Sequence, residues 1–265
     1  MFIVGNYLTA VVFCVVTMLC WGSWGNTQKL AAKSWRYELF YWDYVIGMFL
    51  FSLFVSFTMG STGTEGRPFL KDLAQADWIN VFSVILGGII FNASNILLSA
   101  STSIAGMSVA FPLGVGLSLV LGVIINYMGA PKGNPVILFA GVALIVVAII
   151  CNGIASGRMN RNGRGQKSSR KGVVLAVVAG ILMSFFYRFV AAAMDLDNFA
   201  SPAAGRLTPY SAIFIFSAGV LLSNFIFNTI VMKKPFVGTP VSYSEYFKGS
   251  FNTHLVGILG GAIWC

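Results

Sequence analysis

Ionisable side chains are scarce in this chain, with 8 acids and 17 lysines or arginines among 265 residues. At 9% charged, against about 25% in a soluble domain, a water-exposed globular fold is excluded. Histidine occurs once, as His254. With no second histidine and no clustered cysteine, neither a metal centre nor a His-activated nucleophile can be assembled. Cys14, Cys20, Cys151 and Cys265 show no paired spacing, and three lie in apolar runs, so they read as small core residues and not as a disulfide framework. Gly165-Gln-Lys167-Ser168 lacks the G-x-x-x-x-G-K-[ST] spacing of a phosphate loop. The alternating segments of about 10 residues that build a membrane β-barrel are also missing. No basic region precedes the first apolar run, which therefore reads as a helix and not as a cleaved signal. The net charge of +9 does not mark a nucleic-acid surface, because the cations sit in short loops beside apolar segments. Nothing in the sequence calls for a cofactor.

What remains is apolar: 57% of residues are hydrophobic and the mean hydropathy is +0.82. Several uninterrupted apolar runs reach about 18 residues or more, long enough to cross a hydrocarbon core of about 30 Å. The chain reads as an all-α polytopic membrane protein. Spans are predicted at 6–28, 38–59, 78–101, 104–128, 134–156, 172–194 and 208–232, and an eighth begins near Thr253 and stops at Cys265. The loops 29–37, 157–171 and 233–252 hold twelve cations, and the intervening loops hold four. The positive-inside rule then places the former in the cytoplasm of a cell with an inner or plasma membrane location, and the N-terminus outside.

Ile85-Leu-Gly-Gly-Ile-Ile90 and Ile258-Leu-Gly-Gly-Ala-Ile263 resemble each other. If the eighth helix answers the third, the repeat unit has five helices, and an odd unit inverts its second copy, as secondary transporters do. The expected organisation is a first repeat at 1–157, a basic cytoplasmic linker at 158–171 and a second repeat at 172–265. Ten helices are expected on this plan; about seven and a half are present, so the chain reads as a fragment or a shortened product.

Polar groups within such helices are costly and so mark partners, water or solute. The richest stretch is Trp21–Tyr44. Asp43, between Trp42 and Tyr44, either binds a proton, a cation or a solute, or pairs at the interface with Lys29, Lys33 or Arg36. Glu38 sits near a helix start, where a carboxylate suits the dipole. Trp21 and Trp24 share a helical face and form either a stacking wall for a planar solute or an interfacial belt, with Asn26 nearby to orient the solute. Asn92, Asn95, Ser99 and Thr102 line one face of the third helix, serving either a cavity or interhelical bonds, and Asn224 and Asn228 repeat the idea more weakly. Gly106, Ala110, Gly114, Ser118 and Gly122 form a small-residue stripe at a four-residue period. Pro112 lies within it and frees a carbonyl near Ser108, predicting a kink. Arg188 either snorkels toward Asp195 or Asp197, or faces a cavity and attracts an anionic solute.

From Tyr41-Trp-Asp-Tyr44 through Asp77-Trp78, Gly87-Gly88, Asn95, Gly106-Met-Ser-Val109, Gly122, Asn126-Tyr127 and Leu138-Phe-Ala-Gly-Val142, the chain resembles the ureide permease family. That family lies in the drug/metabolite transporter superfamily, near its glucose/ribose and rhamnose uptake members. The resemblance implies ten helices in two inverted halves, and proton- or cation-coupled uptake of small polar solutes such as allantoin, uracil or related oxo-heterocycles. It departs from the plant members, whose longer central loop carries a phosphate-loop-like motif. The expectation is therefore a secondary transporter in a lipid bilayer, using a proton or sodium ion as coupling ion. Asp43 is the expected coupling or binding carboxylate, with Trp21, Trp24, Asn26, Asn92 and Asn95 toward the solute and Glu38 and Arg188 as further charges. A sugar permease and a non-transporting membrane scaffold are the alternatives.

Overall fold

In lipid, backbone N–H and C=O groups have no water to bond, so apolar runs of this length fold as helices. A computed structural model describes residues 1–31, 35–161 and 169–265. Its helices are α1 (Tyr7–Ala31), α2 (Tyr37–Phe57), α3 (Phe69–Gln75), α4 (Trp78–Ala105), α5 (Met107–Phe111), α6 (Leu117–Gly129), α7 (Pro135–Arg161), α8 (Arg170–Ala192), α9 (Pro209–Lys233), α10 (Tyr243–Tyr246) and α11 (Phe251–Trp264). Seven helical stretches among the described residues are long and apolar enough to cross a membrane, counting Met107–Gly129 as one. The short helices α3 and α10 lie in segments read from sequence as loops. Of the basic stretch at 158–171, residues 162–168 lie outside the described residues, as does Lys33, while Arg158–Arg161 continues α7.

Local chemistry sets several boundaries. Thr208 caps α9, with Pro209 in the first turn, where a missing N–H is harmless. Ser242 and Glu245 close a capping box on α10, and Ser250 caps α11. Gly106 adopts φ +82°, a conformation that breaks α4 from α5. Gly106 therefore stands at a helix break and not inside the small-residue stripe predicted for it.

The chain forms two compact units that cut across chain order. One comprises Met1–Ile89, Phe189–Pro235 and Pro240–Cys265; the other comprises Ile90–Arg188 and Phe236–Thr239.

In the first unit, α2 packs against both α11 and α9, and α11 also against α1. Glycines permit the close approach. A Cβ on Gly261 would lie 1.9 Å from the Tyr44 carbonyl oxygen and one on Gly47 2.1 Å from the Ile258 carbonyl oxygen, joining α11 to α2. A Cβ on Gly88 would lie 2.4 Å from the Phe216 carbonyl oxygen and one on Gly219 2.8 Å from that of Ile85, joining α4 to α9. The two sets share their spacing: Ile258 and Gly261 answer Ile85 and Gly88, while Tyr44 and Gly47 answer Phe216 and Gly219. The order of long, short and long helix also recurs, in α2–α3–α4 and α9–α10–α11.

In the second unit, Pro112 opens a π-helical turn, Pro112–Gly116, between α5 and α6. Lacking an N–H, the proline leaves the Ser108 carbonyl free; the Ser156 hydroxyl of α7 donates to that oxygen at 3.3 Å. Gly114 faces Leu98 and the Ala176 carbonyl, and Gly122 faces Ser184, so this part of the stripe packs on α8. Ala110 is buried, and the Ser118 hydroxyl donates to the Val115 carbonyl at 2.8 Å. The exposed Arg188 lays its guanidinium over Gly129, where a Cβ would collide with it.

Candidate functional site

Asp43 lies in the second turn of α2 and is almost wholly buried, at 1% exposure. An isolated carboxylate at such a place is strongly disfavoured, and three donors meet it. Its Oδ1 accepts from the Tyr246 hydroxyl at 2.6 Å and lies 2.7 Å from His254 Nδ1, and its Oδ2 accepts from Trp35 Nε1 at 3.1 Å. When Asp43 is ionised its Oδ1 only accepts, and His254 Nδ1 is then the nitrogen that carries the proton. The donors come from the approach to α2, from α10 and from the first turn of α11. Their rings also contact one another: Trp35 with His254 at 5.2 Å and Tyr246 with His254 at 4.8 Å between centroids. Gly257 brings α11 against the Asp43 side chain, since a Cβ there would lie 2.3 Å from Asp43 Cβ. Burial and the adjacent Asp43 carboxylate raise the Tyr246 phenol above its ordinary range, which keeps it a donor.

None of the three loop cations considered for Asp43 is described as its partner: Lys29 is exposed in the last turn of α1. Arg36 pairs with Glu38 at 2.6 Å, and Lys33 lies outside the described residues. Glu38 is fully buried in the first turn of α2, and its backbone carbonyl accepts from Asn228 Nδ2 of α9 at 2.8 Å. Sequence reasoning did not find Trp35, Tyr246 or His254. Tyr246 and His254 lie 203 and 211 residues from Asp43, and no local pattern joins them to it.

On α1, the structure separates residues that the sequence grouped. Trp24 is buried with its ring 4.9 Å from that of Tyr44. Trp21 is 40% exposed; it stacks on Trp264 at 5.9 Å and donates through Nε1 to the Trp264 carbonyl at 3.0 Å. Asn26 faces outward, while its neighbours Thr27 and Gln28 are buried. The inward polar positions of α1 are thus Thr27 and Gln28.

Asn92 and Asn95 lie on the portion of α4 that belongs to the second unit, and both are fully buried. Neither amide atom of Asn95 has a hydrogen-bond partner among the described residues. On the same helix Thr102 bonds back to the Leu98 carbonyl at 2.9 Å, and Ser101 reaches the Gly172 carbonyl of α8 at 2.7 Å.

Two further carboxylates serve loops. Asp72 is buried, accepting from Arg67 Nε at 2.8 Å and from the Thr208 amide and hydroxyl at 2.8 and 2.9 Å. Asp195 is held below its ordinary value, first by the Ala203 amide it accepts from and then by those of Asp197 and Asn198.

The ureide permease family model matches residues 40–170, the stretch that contains Asp43, the α4 asparagines and the π-helical turn. Over that stretch the chain is similar to the ureide permease family. It is 24% identical to ureide permease 2 of Arabidopsis thaliana over 327 aligned residues, covering 98% of this chain and 82% of the relative. It is 29% identical to ureide permease 5 of the same plant over 155 residues, covering 55% of this chain and 37% of the relative. It is 32% identical to probable ureide permease A3 of Vigna unguiculata over 114 residues, covering 41% and 30%. No solved structure matches the chain.

Proposed function

We propose that this chain is a secondary transporter that takes up a small polar solute of ureide, nucleobase or similar heterocyclic type, coupled to a proton or sodium gradient. The similarity to ureide permeases supports transport of such solutes. The observation that carries the coupling is the buried Asp43 with its three donors. A carboxylate in a span is costly and needs partners. When ionised, Asp43 accepts from Trp35, Tyr246 and His254, and so ties α2 to the segment 243–254. A proton or cation on the carboxylate competes with those donors and loosens the tie. That supplies a binding-linked change in how α2 and α11 are held, which alternating access requires. The loop charges support a cytoplasmic location for this cluster, with the N-terminus outside.

Asp43→Asn tests the assignment. It keeps the side-chain volume, removes the charge and places an amide donor among donors. Purified wild type and variant, each in proteoliposomes, are compared for uptake of labelled allantoin and uracil under an imposed proton or sodium gradient. Gradient-driven uptake is expected in the wild type and lost in the variant; equal concentrative uptake removes Asp43 from the coupling step.

A further inference from the structure

We propose that Asn224 and Asn228 of α9 form the subsite that recognises the solute through an N–H group adjacent to a carbonyl, as in a lactam, imide or ureide. The proposal rests on the transport reading above and specifies the chemistry of its ligand.

The two asparagines are one turn apart and therefore share a face of α9. Both are fully buried, at 0% exposure. Asn228 Nδ2 donates to the Glu38 carbonyl at 2.8 Å, which fixes the orientation of that amide. Its Oδ1 has no hydrogen-bond partner among the described residues, and neither Oδ1 nor Nδ2 of Asn224 has one. Three polar atoms on one helical face thus lack partners in a segment long and apolar enough to span a membrane. Native buried polar atoms are almost always paired. In lipid the helical backbone is committed to its own ladder, so a bound molecule is the available partner.

The Asn224 amide offers a planar donor and acceptor side by side. Its complement is a ligand carrying an acceptor and a donor in the same plane, which closes two hydrogen bonds at once, as asparagine does with the edge of adenine. A cyclic or open ureide presents that edge. Asn228 Oδ1, one turn on, takes a further N–H. Along α9, Asn224 lies between the Asn228 bond to Glu38 and the 2.6 Å bond between the Ser217 and Ser52 hydroxyls. The open pair is therefore bracketed by ordered contacts to α2 that hold the helix in place.

Binding of uracil, of allantoin and of 1,3-dimethyluracil, which has no N–H, is measured on the full chain in detergent for wild type and Asn224→Leu. The wild type is expected to bind uracil roughly tenfold or more tightly than the dimethyl compound, the factor that each 1.4 kcal/mol sets. Asn224→Leu is expected to lose uracil affinity by a similar factor and no longer to distinguish the two ligands. Its unliganded thermal midpoint should stay level or rise, because an orphaned amide is replaced by an apolar group of similar size. Uracil affinity unchanged in the variant, or discrimination that persists in it, overturns the subsite and leaves a buried water as the partner. Wild type that binds both compounds equally overturns it without any variant. A wild type that binds neither uracil nor allantoin overturns the ureide reading itself, and the subsite falls with it.

Discussion

Asp43, Tyr246 and His254 make one polar unit although they are far apart in the chain. An intramembrane acid is legible from sequence, since few such residues exist and each is costly. Its partners were not legible, because only the fold brings α10 and the start of α11 to α2. A helical face is also read less sharply than a helix: a step of one residue turns about 100°, enough to put Asn26 outside and Thr27 inside. The raised Tyr246 phenol gives a signed expectation. A group whose value is raised on folding stabilises fully below its unfolded value, about 10 for tyrosine. That contribution is lost as pH rises from there through the higher folded value. Thermal midpoints in detergent between neutral pH and pH above about 10 should therefore fall more steeply in wild type than in Tyr246→Phe; parallel curves would contradict the Tyr246–Asp43 bond.

At the scale of elements, the seven long spans follow from apolar length alone. The π-helical turn at Pro112–Gly116, the break at Gly106 and the short helices α3 and α10 do not, because each depends on local backbone geometry or on capping in short segments. The Ile-Leu-Gly-Gly likeness gains a physical meaning from packing. In both copies a glycine meets a backbone carbonyl of a neighbouring helix, at matched spacing. Gly261→Ala tests how tightly the α11–α2 seam depends on it. Overpacking there should cost about 1–3 kcal/mol. Gly141→Ala in α7, where a Cβ meets nothing within 4 Å, should be neutral or stabilising. Comparable thermal midpoints for the two variants would contradict the close contact.

For the whole molecule, the 9% charged composition excludes a water-exposed globular fold, and the chain is similar to permeases. The sequence also pointed to a basic stretch at 158–171 on the cytoplasmic side. A cysteine placed at Arg170 in a chain with its own four cysteines replaced should be labelled by a membrane-impermeant maleimide only after right-side-out vesicles are opened; labelling of intact vesicles would reverse the proposed orientation. Gradient-driven movement of a small polar solute is measured as uptake by the purified chain in proteoliposomes. Labelled allantoin, uracil, glucose and ribose are compared with and without an imposed proton or sodium gradient. Allantoin or uracil is expected to accumulate under one of these gradients, and neither sugar is. Accumulation of none of the four, or of the sugars alone, would contradict the proposed function.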